Sequence, residues 1–139
     1  MHEINPSLSG PGLRTFEAVC DRWGLTPEER HHSLGNPLPD LYRDWHRLAS
    51  QRLDHDLALP QDVLQRIAAV LAIHASVGTL YQGEELKWLR GRFDTPPFDG
   101  HPPLALITSG RLQDLHAVLD WLAAAGQGWP ILPNAVDRQ

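Results

Sequence analysis

Apolar residues recur along this chain at three- and four-residue spacing, and no segment of useful length alternates as a strand would. Leu13, Phe16, Val19, Cys20 and Trp23 share one face, which predicts a helix over residues 11–23 stopped by Gly24. Thr26, Pro27 and Glu29 then spell a helix start: an N-cap hydroxyl, a proline in the first turn, and a glutamate placed to close a capping box. That second helix ends at Leu34-Gly35. A third begins near Pro39 or Asp40, with Leu41, Trp45 and Leu48 facing inward and Arg43, His46 and Arg47 on the exposed side. Short helix, tight turn, short helix is the helix-turn-helix pattern.

Residues 54–57 read as a joint, and Pro60 and Gln61 open a long helix. Val63, Leu64, Ile67, Val70, Leu71, His74, Val77 and Leu80 form its apolar face, while Ala68, Ala69, Ala72, Ala75 and Gly78 would let another helix approach closely. Gly83 breaks it. A short helix ending in Trp88-Leu89-Arg90 leads through a Pro/Gly elbow over 94–100 to a last helix over 112–125. There Leu112, Leu115, Leu119 and Leu122 make one stripe, with Val118, Trp121 and Ala125 off it. A helix apolar on more than one side is deeply buried or shared, and in so short a chain the expectation is a partner. Residues 1–10 lack periodicity and read as a loose tail. Residues 130–139 read as a C-terminal tail, released by Gly126 and Gly128 and held extended by Pro130 and Pro133.

Composition narrows the function classes. The 139 residues are 42% hydrophobic and 21% charged, ordinary for a globular protein. The longest uninterrupted apolar run, 67–73, is too short to cross a bilayer, and no basic segment followed by an apolar one opens the chain. With one cysteine, Cys20, the expectation is a cytoplasmic protein without disulfides. Net charge is −5, and neither 1–56 nor 57–139 is basic. Any DNA binding must therefore come from locally placed arginines.

The order of landmarks carries a resemblance. Trp88-Leu89, then Gly100-His101-Pro102-Pro103-Leu104, then Ser109-Gly110 ahead of an apolar helix is similar to the toxin-binding domain of the Xre/MbcA/ParS antitoxin family. Upstream, Trp23-Gly24-Leu25, Leu34-Gly35 and Trp45 resemble the helix-turn-helix that precedes that domain. Leu38-Pro39-Asp40 stands where the family more often has Ser or Thr. Together the two segments span residues 13–129.

The resemblance implies an all-α chain with an N-terminal helix-turn-helix domain over 11–56 and a C-terminal toxin-binding domain over 57–129. It implies a homodimer or larger assembly that neutralises a RES-domain, NAD-consuming toxin and represses its own operon by binding operator DNA. Toxin contacts fall at Trp88, Arg92 and Trp121, and in the tail at Trp129, Pro130, Ile131 and Leu132. Apolar residues on a stiff tail suit insertion into a groove, because less ordering entropy is lost there. The alternative is that Trp129 and Ile131 fold back on their own domain. DNA contacts fall at Arg43, His46, Arg47 and Arg52. Asp40 and Asp44 share those turns, so a merely solvated face is an equal reading.

Chemistry of other kinds finds little support. His31 and His32 are adjacent on a helix and diverge, no Cys/His spacing matches a structural zinc site, and Asp54-His55-Asp56 cannot all face one ion in ordinary geometry. Nucleophile-elbow, phosphate-loop and dinucleotide motifs are lacking. Glu84 and Glu85 sit at a helix start, where they complement its dipole. The expectation is a binding protein with no cofactor and no membrane partner, rather than an enzyme. A stand-alone helix-turn-helix regulator whose C-terminal half dimerises is the second reading, and a small enzyme built on the histidines the third.

Overall fold

A computed structural model describes residues 3–127 and makes the chain all-α. Among those residues the helices are α1 (Ser9–Trp23), α2 (Pro27–Ser33), α3 (Pro39–Ser50), α4 (Gln61–Leu80), α5 (Glu85–Arg90), α6 (Pro103–Ile107) and α7 (Leu112–Ala125). Extended pairing is limited, among the described residues, to one antiparallel bridge between Phe93 and His101.

Local signals set the first three helices. Gly24 adopts φ 69° and its N–H returns to the last turn of α1, ending it where glycine alone is unstrained. The Thr26 hydroxyl accepts from the Glu29 amide at 3.1 Å, and the Glu29 carboxylate accepts from the Thr26 amide at 2.8 Å, closing the expected capping box. In α3, Trp45 and Leu48 turn inward as expected, but Leu41 is 44% exposed. Tyr42, one position on, takes the inward place beside α1 through its bond to Glu17.

The loose-tail expectation for 1–10 fails over residues 4–10. The Gln61 side chain accepts from the Ile4 amide at 2.9 Å and donates to the Ile4 carbonyl at 2.7 Å. Ser9 and Gly10 are buried in the first turn of α1, which starts two residues before the expected position. The Ser9 hydroxyl accepts from the Leu59 amide at 3.0 Å, and a β-carbon on Gly10 would lie 2.3 Å from the Asp54 carboxylate. Polar ties to distant residues order this segment, and periodicity cannot register them.

α4 lies between α1 and α7. Two packed faces explain why Ala69 and Ile73 join the expected Val63, Leu64, Ile67, Val70 and Val77 in the core, while Leu71, His74 and Leu80 are half-buried. By length and composition alone α4 could cross a membrane; here its buried side is the centre of the bundle. α7 is rotated from the expected stripe: Leu115, Val118, Leu122 and Ala125 are buried, and Leu112 and Leu119 flank them. Its apolar residues thus serve this chain's own core on one side, while Leu112, Leu119 and Trp121 stay half-buried. Residues from α1, α3, α4 and α7 belong to one core cluster, so the expected division near residue 57 separates two stretches of sequence but not two cores.

A joint of glycines locks the halves. Gly35 and Gly110 both have positive φ, 90° and 85°. A β-carbon on Gly110 would lie 3.8 Å from the Gly35 Cα and 3.2 Å from the His32 carbonyl oxygen. Arg66 of α4 fills the remaining space: its Nε donates to the Gly110 carbonyl at 3.1 Å, and it crowds the place a Gly35 β-carbon would take. Both turns need glycine for conformation and for room.

Candidate functional site

Two surfaces hold the expected contact residues. The first is α3 and the turn before it. A carboxylate at the α1–α3 junction fixes this helix: Glu17 accepts from the Tyr42 hydroxyl at 2.7 Å and from Arg30 at 3.0 Å, and Arg30 also pairs with Asp21 at 2.8 Å. His31 hydrogen-bonds through Nε2 to the Pro37 carbonyl and stacks on Tyr42, with ring centroids 5.3 Å apart. Burial and the Glu17 hydrogen bond push the Tyr42 hydroxyl pKa well above its ordinary value. Burial likewise raises the Cys20 thiol to about 12, which leaves it inert at neutral pH.

On that frame Arg43, His46, Arg47 and Arg52 are all exposed, as the sequence suggested. Arg43 pairs with Asp40 at 3.0 Å and Arg47 with Asp44 at 2.7 Å, both along the helix. Each exposed pair is locally neutral and contributes little to stability, so its arginine can turn to another anion at small cost. Arg43, His46 and Arg47 line a hollow of about 520 Å³ together with Tyr42, His31, Pro27, Pro39 and the carboxylate of Glu28. Arg52 lies beyond the end of α3 at φ 57° and is not among the residues lining that hollow. Leu38, Leu41 and Asp44 line a second hollow of about 590 Å³ that shares only Pro39 with the first.

The second surface lies around α5, the elbow and α7. Trp88 is 1% exposed, so its ring lies inside the core and is not open to the partner contact that the resemblance implied. Tyr81 stacks on it at 5.9 Å, and Phe93 and Trp121 approach at 6.3 and 6.2 Å. Trp121 is half-buried and lies 5.2 Å from both Phe93 and Phe98, so only part of its surface is open. Arg92 is exposed and reaches the Gly100 carbonyl at 3.5 Å across the elbow. Trp129, Pro130, Ile131 and Leu132 lie outside the described residues. A further apolar groove of about 480 Å³ runs between α4 and α7, lined by Ala68, Ala72, Leu112 and Leu119.

Sequence reasoning missed Leu38 as an exposed residue and counted Leu41 as core. It gave no role to Tyr42, because a partner twenty-five positions away leaves no local pattern. Among the described residues, no group of three His, Cys, Asp or Glu side chains could hold a metal ion. The Nε1 donors of Trp23 and Trp88 are buried without a hydrogen-bond partner among the described residues.

No family model matches this chain, and no solved structure matches it. It is similar to "Uncharacterized protein y4oB" of Sinorhizobium fredii (strain NBRC 101917 / NGR234), with 28% identity over 118 residues, 84% of each chain.

Proposed function

We propose that this chain is the antitoxin of a type II toxin–antitoxin pair, binding a RES-domain, NAD-consuming toxin directly and blocking its active site. It acts as a homodimer or larger assembly, carries out no catalysis, and represses its own operon through α2 and α3, which serve as a helix-turn-helix. One observation carries the reading. The two segments that separately resemble the Xre/MbcA/ParS family meet in space, Gly35 of one against Gly110 of the other with Arg66 between them. Matched landmarks packed on each other are what a single inherited unit requires; unrelated likenesses need not touch. The toxin-facing surface is the exposed rim of the aromatic corner, Arg92 and the open side of Trp121, together with the tail at Trp129, Pro130, Ile131 and Leu132.

The test is to mix the purified chain with a RES-domain protein encoded beside it and follow NAD consumption. Stoichiometric inhibition supports the reading, and a chain ending at Gly126 should fold yet fail to inhibit. Absence of binding at micromolar concentration overturns the antitoxin assignment. Full inhibition by the shortened chain instead removes only the tail from the mechanism. The stand-alone regulator remains the second reading, favoured by the exposed arginine-bearing face of α3. A helix with that face and no toxin partner would bind DNA alone.

A further inference from the structure

We infer that the leading edge of α3 is built for the pyrimidine edge of a DNA major groove: Leu38 and Leu41 against thymine methyl groups, and Asp44 accepting from a cytosine amine. This rests on the DNA-binding part of the reading above.

The starting observation is an exposure that folding does not explain. Leu38 is 72% and Leu41 44% exposed, while Trp45 and Leu48 of the same helix are buried. Leu38, Leu41 and Asp44 follow one another at three-residue steps and line one hollow, with Asp40 beside them. They occupy the start of the second helix of the pair, the part that meets base edges in a helix-turn-helix.

Their chemistry selects among bases. In the major groove guanine presents only acceptors, which a carboxylate repels and a leucine cannot satisfy. Cytosine presents an amine donor, and thymine a methyl group. An edge of two leucines and two carboxylates, Asp40 and Asp44, therefore fits thymine and cytosine and rejects guanine. Arg43, His46 and Arg47 line the adjoining hollow, with Glu28 as its one carboxylate, so groups able to meet phosphates lie beside the apolar edge. In the free protein Arg43 and Arg47 pair with Asp40 and Asp44; on DNA the arginines turn to phosphates and Asp44 to the cytosine amine, an exchange that exposed pairs allow at small cost. A protein partner would also accept exposed leucines, but it would give no reason for the arginine-lined hollow beside them.

The experiment uses the full chain and a short duplex that the chain itself enriches from a random pool. Thymines in the enriched site are then replaced by uracil, which removes only the methyl group. Affinity should fall about fourfold for each contacted methyl, the value of one buried methylene. Leu38→Ala and Leu41→Ala should keep the wild-type melting temperature, bind more weakly, and no longer distinguish thymine from uracil. Arg43→Ala with Arg47→Ala should weaken both duplexes alike and flatten the salt dependence, by about 0.9 in log–log slope per lost phosphate contact. Equal binding of thymine and uracil duplexes by the wild type, or enrichment of guanine at the contacted positions, overturns the inference while leaving DNA binding intact. Failure to enrich any duplex overturns DNA binding itself. If Leu38→Ala abolishes toxin binding and leaves DNA affinity unchanged, the patch belongs to the protein partner and the inference fails.

Discussion

Around α5 and α7 the chain is held by rings. Tyr81, Trp88, Phe93, Phe98 and Trp121 approach one another at centroid distances of 5.2 to 6.3 Å, and the Trp88 Nε1 donor has no partner among the described residues. Around α2 and α3 the chain is held by directed bonds. Glu17 gathers Arg30 and Tyr42, and His31 ties the turn through the Pro37 carbonyl. Burial is non-directional and consumes the side chains it uses. A hydrogen-bond junction fixes a helix through a few atoms and leaves the rest of its face free. This difference explains why the residues expected to meet a partner are exposed on α3, whereas Trp88, the most conspicuous candidate of the C-terminal half, is consumed by the core.

Replacing Trp88 should strike hardest. Trp88→Ala removes the ring at the centre of the aromatic corner and should cost about 3–5 kcal/mol, read by urea denaturation. Trp88→Phe should cost distinctly less, because the indole donor it deletes makes no bond within the described fold. Equal losses for the two variants would place the energy in the indole nitrogen rather than in apolar burial, and the contrast between the two regions would collapse.

Glu17→Ala comes next. It strips a partly buried acceptor from Arg30 and from the Tyr42 hydroxyl, at a cost of about 2–3 kcal/mol. Arg30 keeps Asp21, which limits the loss. The sharper readout is positional: α3 should lose amide-exchange protection while the aromatic corner keeps it. Uniform loss throughout the chain would mean that Glu17 supports the whole core and not the α3 corner in particular.

Much of this contrast was legible in sequence, but unevenly. Caps and stops are local, so Thr26–Glu29, Gly24 and the span of α7 stand where residue types placed them. The faces of α4 and α7 were legible only in part, since a period cannot tell one packed side from two. Leu41 keeps helical step with Trp45 and Leu48, but in the first turn of α3 the contact with α1 is made by Tyr42 through Glu17, and Leu41 is left 44% exposed. Ser9 and Gly10 read as tail because glycine and serine favour loops, and the residues that meet them, Leu59 bonded to the Ser9 hydroxyl and Asp54 closing the space beside Gly10, lie more than forty positions away.

The smallest effect at neutral pH becomes the clearest one in alkali. Cys20 and Tyr42 are both uncharged when protonated, and in the folded chain both hold their protons more tightly than they do unfolded, Cys20 up to about 12. A group with a raised folded pKa contributes stability that is whole below its unfolded pKa and is lost as pH climbs toward the folded value. Unfolded thiols release their proton near pH 8.5 and unfolded tyrosines near 10, both approximate. Stability should therefore hold steady through neutrality, begin to fall at about pH 9, and fall more steeply beyond about pH 10. Cys20→Ala should delay the first part of that fall, and Tyr42→Phe should remove the second. At pH 7 Tyr42→Phe should show only the loss of its bond to Glu17, about 1 kcal/mol. Denaturation midpoints for the three proteins, taken across pH 7 to 11, separate these contributions. If Tyr42→Phe follows the wild type beyond pH 10, the hydroxyl is not held as its bond to Glu17 requires, and the directed-bond account of the α3 corner loses its central contact.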